Sequence, residues 1–294
     1  MSRRVVITGA GVISTIGVGV DEFWRQCLQA QSAVAPIPEP WFRYADFHSR
    51  LWSPLPEIDP ESFGVSRPER LQLDPVSVLA IGAAREALER AGFTLVPSAT
   101  HSRALALAGI DAARIGVYLG TGIGGAHSFL DNHSFHLFQR ARATLKAYAQ
   151  ERPPAEGREA LDNVLASMAH GRRYHPFVVS MLMPNAASAA VGIKFSTTGP
   201  NVTSCVACSA GTVAVGHAYR AVHDAHVDIA ATGGSEYLYD EHGHIFRGFD
   251  VAGTLVRDCA DPKGANRPFD EKRSGFLFSQ GGAAVLVLEE LEHA

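Results

Sequence analysis

Five runs of residues along the chain have the length of β-strands and are mostly apolar, without regular alternation of polar and apolar positions. They are Val5–Thr8, Ile115–Leu119, Val202–Ala207, Val227–Thr232 and Ala283–Leu288. Strands that are covered on both faces of a sheet show this continuous pattern. We therefore predict a sheet with helices packed on both of its faces.

One helix is predicted with both of its ends. Asp74 and Pro75 supply an N-cap and a first-turn proline, the apolar pattern then continues to Ala91, and Gly92 supplies the stop. Because strands that alternate with helices at this spacing are typical of crossover connections, the pattern predicts an α/β fold with a mainly parallel sheet.

Two further helices and one insertion complete the pattern. Asp21 is predicted to cap a helix through Leu28, and a helix rich in Ala, Gly and Val is predicted from Ser209 to about Val222. The segment 127–175 carries clustered His and Arg residues and only weak apolar faces. We interpret this segment as a surface insertion or lid, and we prefer a solvated helical insertion. The whole chain, residues 1–294, is predicted to form a single domain.

Composition narrows the class of protein. The chain has 294 residues, of which 46% are apolar and 19% charged, so it can build a buried core. Its net charge of −4 argues against nucleic acid as a partner, and four cysteines are too few for a disulfide scaffold, which favours a reducing cytoplasm. No apolar run reaches the roughly 18 residues of a membrane helix. These features indicate an enzyme of the cytoplasm, without a membrane segment.

Cofactor and metal motifs are weak. The segment Gly120–Gly125 formally satisfies G-x-G-x-x-G, but no carboxylate follows about 20 residues later, as a dinucleotide site would need. None of the thirteen histidines has H-E-x-x-H spacing. We therefore expect tight glycine turns, no cofactor and no metal.

Two cysteines, Cys205 and Cys208, have C-x-x-C spacing. The remaining thiols are isolated, so a four-thiolate zinc site is not expected. If residues 201–208 form one strand, a separation of three puts the two sulfur atoms on opposite faces. We interpret the pair as one structural and one chemical cysteine, with a thiol–disulfide oxidoreductase as a remote alternative.

Cys208 lies between a strand and a helix. It follows the apolar run that ends at Ala207 and precedes Ser209-Ala210-Gly211. The free N–H groups at a helix start favour a thiolate and can donate to an oxyanion that forms when the thiolate attacks a carbonyl. A buried and inert cysteine has the same spacing, so the residues alone leave both interpretations open.

Six blocks of sequence, taken together, resemble the β-ketoacyl-acyl-carrier-protein synthases, the elongating condensing enzymes of the thiolase superfamily. In chain order they are VVITGAGVIS from Val5, GTGIGG from Gly120, GPNVTSCVACSAG from Gly199, GGSE from Gly233, RPFD from Arg267 and VLVLEE from Val285. The resemblance implies a thiolase-like layered fold and a decarboxylative Claisen condensation in fatty-acid or polyketide synthesis. It implies no cofactor.

The resemblance also assigns residues and partners. Cys208 matches the nucleophile, which takes an acyl group from the phosphopantetheine of an acyl carrier protein and holds it as a thioester. Ile123 and Phe249 fall near positions that line or gate the acyl pocket. Family members dimerise by aligning one strand from each subunit, and Val202–Ala207 matches that strand.

Family members continue into a second half that repeats the fold and carries two histidines and a lysine. This sequence ends at Ala294, so we expect the N-terminal half of the duplicated fold, with the C-terminal synthase domain absent. Condensation would then need a second half or a second chain, in a homodimer or heterodimer. The alternative is a non-condensing subunit, similar to a chain-length factor or vestigial, although such subunits usually lose the nucleophile.

One smaller departure concerns a buried carboxylate. The family's G-[ED]-G-A-G block reads Ser279-Gln280-Gly281-Gly282-Ala283 here, so an amide replaces the acid. This replacement favours a specialised synthase of secondary metabolism over a housekeeping one.

Overall fold

The structure is a computed structural model that describes residues 3–151, 175–257, 259 and 261–294. Its strands are β1 (Val5–Ser14), β2 (Gly17–Val18), β3 (Ala35–Pro36), β4 (Leu51–Ser53), β5 (Leu95–Pro97), β6 (Leu105–Leu107), β7 (Ile115–Gly120), β8 (Asn201–Ser204), β9 (Ile229–Tyr237), β10 (Phe278–Ser279) and β11 (Gly281–Glu290). Its helices are α1 (Val20–Leu28), α2 (Arg67–Arg70), α3 (Pro75–Arg90), α4 (Ala126–Glu151), α5 (Val178–Leu182), α6 (Ala186–Lys194), α7 (Ala210–His223) and α8 (His244–Val251).

The main sheet has the strand order β2-β1-β11-β9-β7-β8 and is mixed. Strand β7 pairs in parallel with β8 and β9, whereas the pairs β1–β2, β1–β11 and β9–β11 are antiparallel. The expectation of a mainly parallel sheet is therefore corrected. An apolar run does not encode strand direction. The connection from β9 to β11 returns to the end it left, since Tyr237 lies opposite Gly281, and neighbours joined in this way are antiparallel.

Helices cover both faces of this sheet, as predicted. Alternate side chains of β7 show the two layers, because Val117 and Leu119 join a core cluster that includes residues of α3 and α6. Tyr118, between them, belongs to a separate cluster with residues of α7. The continuous apolar runs of the central strands are thus explained by burial on both sides.

Helix α3 confirms the predicted caps. The Asp74 carboxylate accepts the N–H of Val76 at 2.9 Å, and Gly92 has a φ of +89° just beyond the helix end. The helix crosses β1 at two glycines: a Cβ on Gly9 or Gly11 would lie 2.0 Å from a carbonyl oxygen of α3. The backbones of strand and helix are therefore in direct contact.

Three details of the structure differ from the predictions. Helix α1 has Gly19 as its N-cap, so Asp21 lies in the first turn rather than at the cap. Strand β8 ends at Ser204 instead of Ala207, because Val206 has a ψ of 48° and Ala207 a φ of +51°. It is also an edge strand, so its expected coverage on both faces is wrong: Asn201 and Val202 are exposed.

A second, smaller unit packs around aromatic side chains. The sheet β10-β4-β3 and helix α8 enclose what we call the aromatic cluster: Ile37, Trp41, Phe47, Trp52, Phe246, Leu255 and Phe278. Of the expected insertion at 127–175, α4 takes the first part, and 152–174 lie outside the described residues. No helix in the described part of the chain has the length and apolarity needed to cross a membrane.

Candidate active site

The carboxyl ends of the three parallel strands lie side by side. In the register of the sheet, Gly120 of β7 pairs with Ser204 of β8 and with Gly234 of β9. The N–H of Thr121 donates to the Ser204 carbonyl at 3.0 Å, which continues the pairing into the loops. In α/β sheets, ligands bind at this edge, which makes it the candidate site.

Cys208 lies at this edge, at the start of α7. It is the central residue of a one-turn 3₁₀ helix, Ala207–Ser209, that leads directly into α7, and it is exposed. The first turn of a helix has N–H groups without partners inside the helix, and these favour negative charge. The predicted strand–turn–helix placement is thus observed, and Cys208 is exposed rather than buried.

A glycine brings α7 close to the sheet. A Cβ on Gly120 would lie 2.2 to 2.4 Å from the backbone of Ala210 and Gly211, so no other residue fits at the end of β7. This contact fixes the first turn of α7 directly against β7, and with it the backbone that carries Cys208.

Cys205 is exposed as well, and its thiol lies 3.4 Å from the Gly122 carbonyl, within reach of a hydrogen bond. Because β8 ends at Ser204, Cys205 and Cys208 do not belong to one strand. The inference that their sulfur atoms lie on opposite faces therefore loses its premise. Both thiols are free in this structure.

Glu236 is the residue at this edge that the sequence analysis did not single out as a site. Its carboxylate accepts the N–H of Gly122 at 2.5 Å, the N–H of Ile123 at 3.2 Å and the hydroxyl of Thr121 at 3.3 Å. Burial raises the pKa of Glu236, while the backbone hydrogen bonds act against that increase. The GGSE block at the end of β9 was the only sequence signal that pointed to it.

The two predicted pocket residues lie in different surroundings. Ile123 is 40% exposed in the loop after β7, at the same sheet edge as Cys208. Phe249 lies on α8 and packs against the rings of Phe276 and Phe278, beside the aromatic cluster. The structure therefore places Ile123 with Cys208 and places Phe249 in the aromatic unit.

Gln280, which replaces the family's acid, links the main sheet to the smaller unit that contains the aromatic cluster. Its side-chain oxygen accepts the N–H of Leu55 at 3.0 Å, and its side-chain nitrogen lies 3.2 Å from the hydroxyl of Tyr237, to which it donates. An amide can donate and accept at once, so it satisfies both neighbours without a buried charge.

A cavity of about 420 Å³ lies between α3, α5 and α6. Its lining includes Leu73, Ile81, Met181 and the buried Lys194, whose ammonium group donates to Glu69 at 3.0 Å. Cys208, Ile123 and Phe249 do not line it. The acyl pocket expected beside Cys208 is thus not this cavity.

Comparison with known proteins gives a consistent result. The family model for the β-ketoacyl synthase N-terminal domain matches residues 2–294. The chain is 30% identical over 292 residues to 3-oxoacyl-[acyl-carrier-protein] synthase 2 of Coxiella burnetii, and 28% identical over 292 residues to the protein of the same name of Synechocystis. In both cases 99% of this chain and 59% of the relative are covered.

A solved structure shows the same fold. The crystal structure of a β-ketoacyl synthase from Burkholderia phymatum superposes with a TM-score of 0.72 at 25% identity, covering 100% of this chain and 60% of the other. The thiolase-like α/β fold is therefore confirmed. The chain spans about 60% of the length of the proteins it matches.

Proposed function

This chain belongs to the β-ketoacyl synthase family, and on that premise we propose that it takes part in decarboxylative Claisen condensation, with Cys208 as the residue that carries the acyl group. The observation that supports the proposal most directly is the place of Cys208, exposed at the start of α7 and at the carboxyl edge of the parallel strands. The product would be a β-ketoacyl thioester.

The first proposed step is transfer of the acyl group. The Cys208 thiolate attacks the thioester carbonyl of an acyl group on the phosphopantetheine of an acyl carrier protein. A bond forms from the Cys208 sulfur to the acyl carbon, the bond from that carbon to the carrier sulfur breaks, and the carrier thiol leaves with the proton that the Cys208 thiol lost. N–H groups at a helix start favour negative charge, and we propose that those of α7 stabilise the oxyanion that forms on the way.

The second proposed step forms the carbon–carbon bond. A malonyl thioester loses carbon dioxide, its carbanion attacks the acyl carbon on Cys208, and the thiolate leaves as the ketone forms. The family resemblance assigns carbanion stabilisation to two histidines of the family's second half, which is not part of these 294 residues. We propose that this second half, or a second chain, supplies them.

Glu236 is proposed to position the loop rather than to react. It binds the N–H groups of Gly122 and Ile123, so these donors face the carboxylate and are not available to a substrate oxyanion. Holding this backbone fixes Ile123, the proposed pocket residue, beside the turn that carries Cys208. Phe249, which packs against Phe276 and Phe278, remains a proposed residue that lines or gates the acyl pocket.

We also propose pairing through β8. This strand is one of the two outer strands of the main sheet, and its exposed residue Val202 lies in the segment that matches the family's dimer strand. A second copy, or a related chain, would continue the sheet across this edge.

Acyl transfer can be tested on the thiol itself. The protein is incubated with an acyl-pantetheine thioester and analysed by intact-mass spectrometry, together with C208A and the matched variant C205A, which removes the other exposed thiol of the turn. We expect one acyl adduct on the unaltered chain and on C205A, and none on C208A. An adduct that persists in C208A, or that is lost only in C205A, would contradict the assignment.

A further inference from the structure

The turn between β9 and α8 carries Asp240, His242 and His244 within five residues. The Asp240 carboxylate is buried and accepts the backbone N–H groups of His242 at 3.1 Å, His244 at 2.9 Å and Ile245 at 2.9 Å. Its side chain is therefore held rigidly at the centre of the turn.

The two imidazoles lie beside this carboxylate. The ring centroids of His242 and His244 are 5.4 Å apart, and the Nδ1 atom of His244 lies 3.0 Å from a carboxylate oxygen of Asp240. One ligand atom from each of the three side chains lies within 4.8 Å of the others. Each side chain is thus close enough to contribute to a single ion.

A glycine shapes the turn. Gly243 has a φ of +70°, and a Cβ there would lie 2.6 Å from the ring of Trp41. Gly243, in the left-handed conformation, bends the chain between His242 and His244, and α8 begins at the next residue. On the other side, the ring of Tyr44 contacts His242 edge-on at a centroid distance of 4.4 Å. The aromatic unit therefore supports the turn from two sides.

The local charge also suits a cation. Glu241 lies within the turn, and the carboxylate of Asp131 on α4 accepts its N–H at 3.4 Å. Two imidazoles and one carboxylate are ligands that zinc-class ions prefer, with bonds of about 2.0–2.2 Å. Ligand atoms in such a tetrahedral site are about 3.4 Å apart, a spacing that His244 can reach by rotation because 47% of its side chain is exposed.

We propose that Asp240, His242 and His244 bind one divalent transition-metal ion of the zinc class, with water as the remaining ligand. The ion has a structural role. It joins the end of β9, which carries Glu236, to the start of α8, which carries Phe249. The D-x-H-x-H spacing differs from the metal motifs considered in the sequence, which is why no metal was expected there.

The site is tested by titrating untagged protein with Zn²⁺ in a calorimeter, after its thiols have been alkylated so that Cys205 and Cys208 cannot bind the ion. The variants are H244Q and H242N. The matched control is H48Q: His48 is 65% exposed, and its Nδ1 lies 3.2 Å from the carboxylate of Asp250, which is 1% exposed. That pair resembles His244 and Asp240 but is not part of a three-ligand group in the described residues.

We expect one equivalent of Zn²⁺ to bind, with affinity reduced about tenfold or more in H244Q and in H242N and unchanged in H48Q. Thermal unfolding gives a second readout: Zn²⁺ should raise the melting temperature of the unaltered chain and of H48Q, but not of H244Q. Absence of binding at one equivalent, or equal affinity in H244Q and the unaltered chain, would overturn the proposal. Circular dichroism of each variant separates lost binding from lost folding.

Discussion

At the scale of single residues, Glu236 controls the loop after β7. Three donors converge on its carboxylate, two of them backbone N–H groups that the loop cannot pair elsewhere without moving. Burial raises the pKa of Glu236 above its ordinary value of 4.5. A carboxyl with a higher pKa in the folded chain holds its proton more tightly there than in the unfolded chain. The free energy of unfolding therefore falls as pH rises from about 4.5 through the folded pKa.

Two substitutions of Glu236 separate hydrogen bonding from charge. E236A leaves the N–H groups of Gly122 and Ile123 without their acceptor, and should lower the free energy of unfolding by about 1–3 kcal/mol. E236Q keeps an acceptor for these groups and can donate to the Thr121 hydroxyl. Its stability relative to the unaltered chain should increase as pH rises above 4.5, because the amide carries no charge to bury. Urea unfolding at several pH values measures both effects, and a pH-independent difference for E236Q would contradict this role.

Cys208 and Glu236 show what the sequence can tell at this scale. The place of Cys208 was predictable, because an apolar strand, a cysteine and a small-residue helix are neighbours in the chain. The role of Glu236 was not, because its partner Gly122 is 114 positions away and only the parallel register of β7 and β9 brings them together. Gln280 is similar: the sequence showed the exchange of acid for amide, but not the two neighbours that an amide satisfies.

At the scale of elements, helix α3 and strand β1 are held at backbone contact by glycine. Gly9 and Gly11 lie on the strand face that meets α3, where a methyl group would overlap carbonyl oxygens. The many alanines of α3 serve the same contact, and several of them are fully buried. Close packing of this kind does not tolerate added volume.

Two glycine-to-alanine substitutions should therefore have opposite effects. G11A places a Cβ 2.0 Å from the Ala83 carbonyl oxygen and should destabilise the fold by about 3 kcal/mol or more. G216A lies in α7, where a Cβ meets nothing within 4 Å, and should stabilise by about 0.5–1 kcal/mol through helix propensity. Urea midpoints measured on both variants test this. If G11A left the free energy of unfolding unchanged, α3 would be able to shift away from β1.

Element boundaries were predictable where local chemistry sets them. Asp74 and Gly92 bound α3 in the sequence as in the structure, because an N-cap and a left-handed glycine act on their nearest neighbours. The end of β8 was not predictable, since Val206 and Ala207 are apolar and continue the strand pattern. The strand ends there because the chain must turn to pack α7 against Gly120, and this tertiary contact is not visible in the local sequence.

At the scale of the whole molecule, the main sheet has two outer strands of different character. On one side β2 pairs with β1 alone, and on the other side β8 pairs with β7 alone. Val18 of β2 and Val202 of β8 are each 37% exposed, so exposure does not distinguish them. Only β8 continues into the turn that carries the candidate nucleophile.

A charge on each outer strand tests the proposed pairing. Lysine on an edge strand opposes the addition of another strand, so V202K should convert a dimer into a monomer. The matched variant V18K, on the opposite edge and equally exposed, should leave the dimer unchanged. Light scattering coupled to gel filtration gives the mass directly. Dissociation by V18K but not by V202K would place the interface on the other edge.

The position of β8 connects the proposed pairing to the reacting sulfur. Three residues lie between Ser204, the last residue of the strand, and Cys208. A neighbour that docks on the strand would restrain the chain just before the reacting sulfur, and dilution would release it.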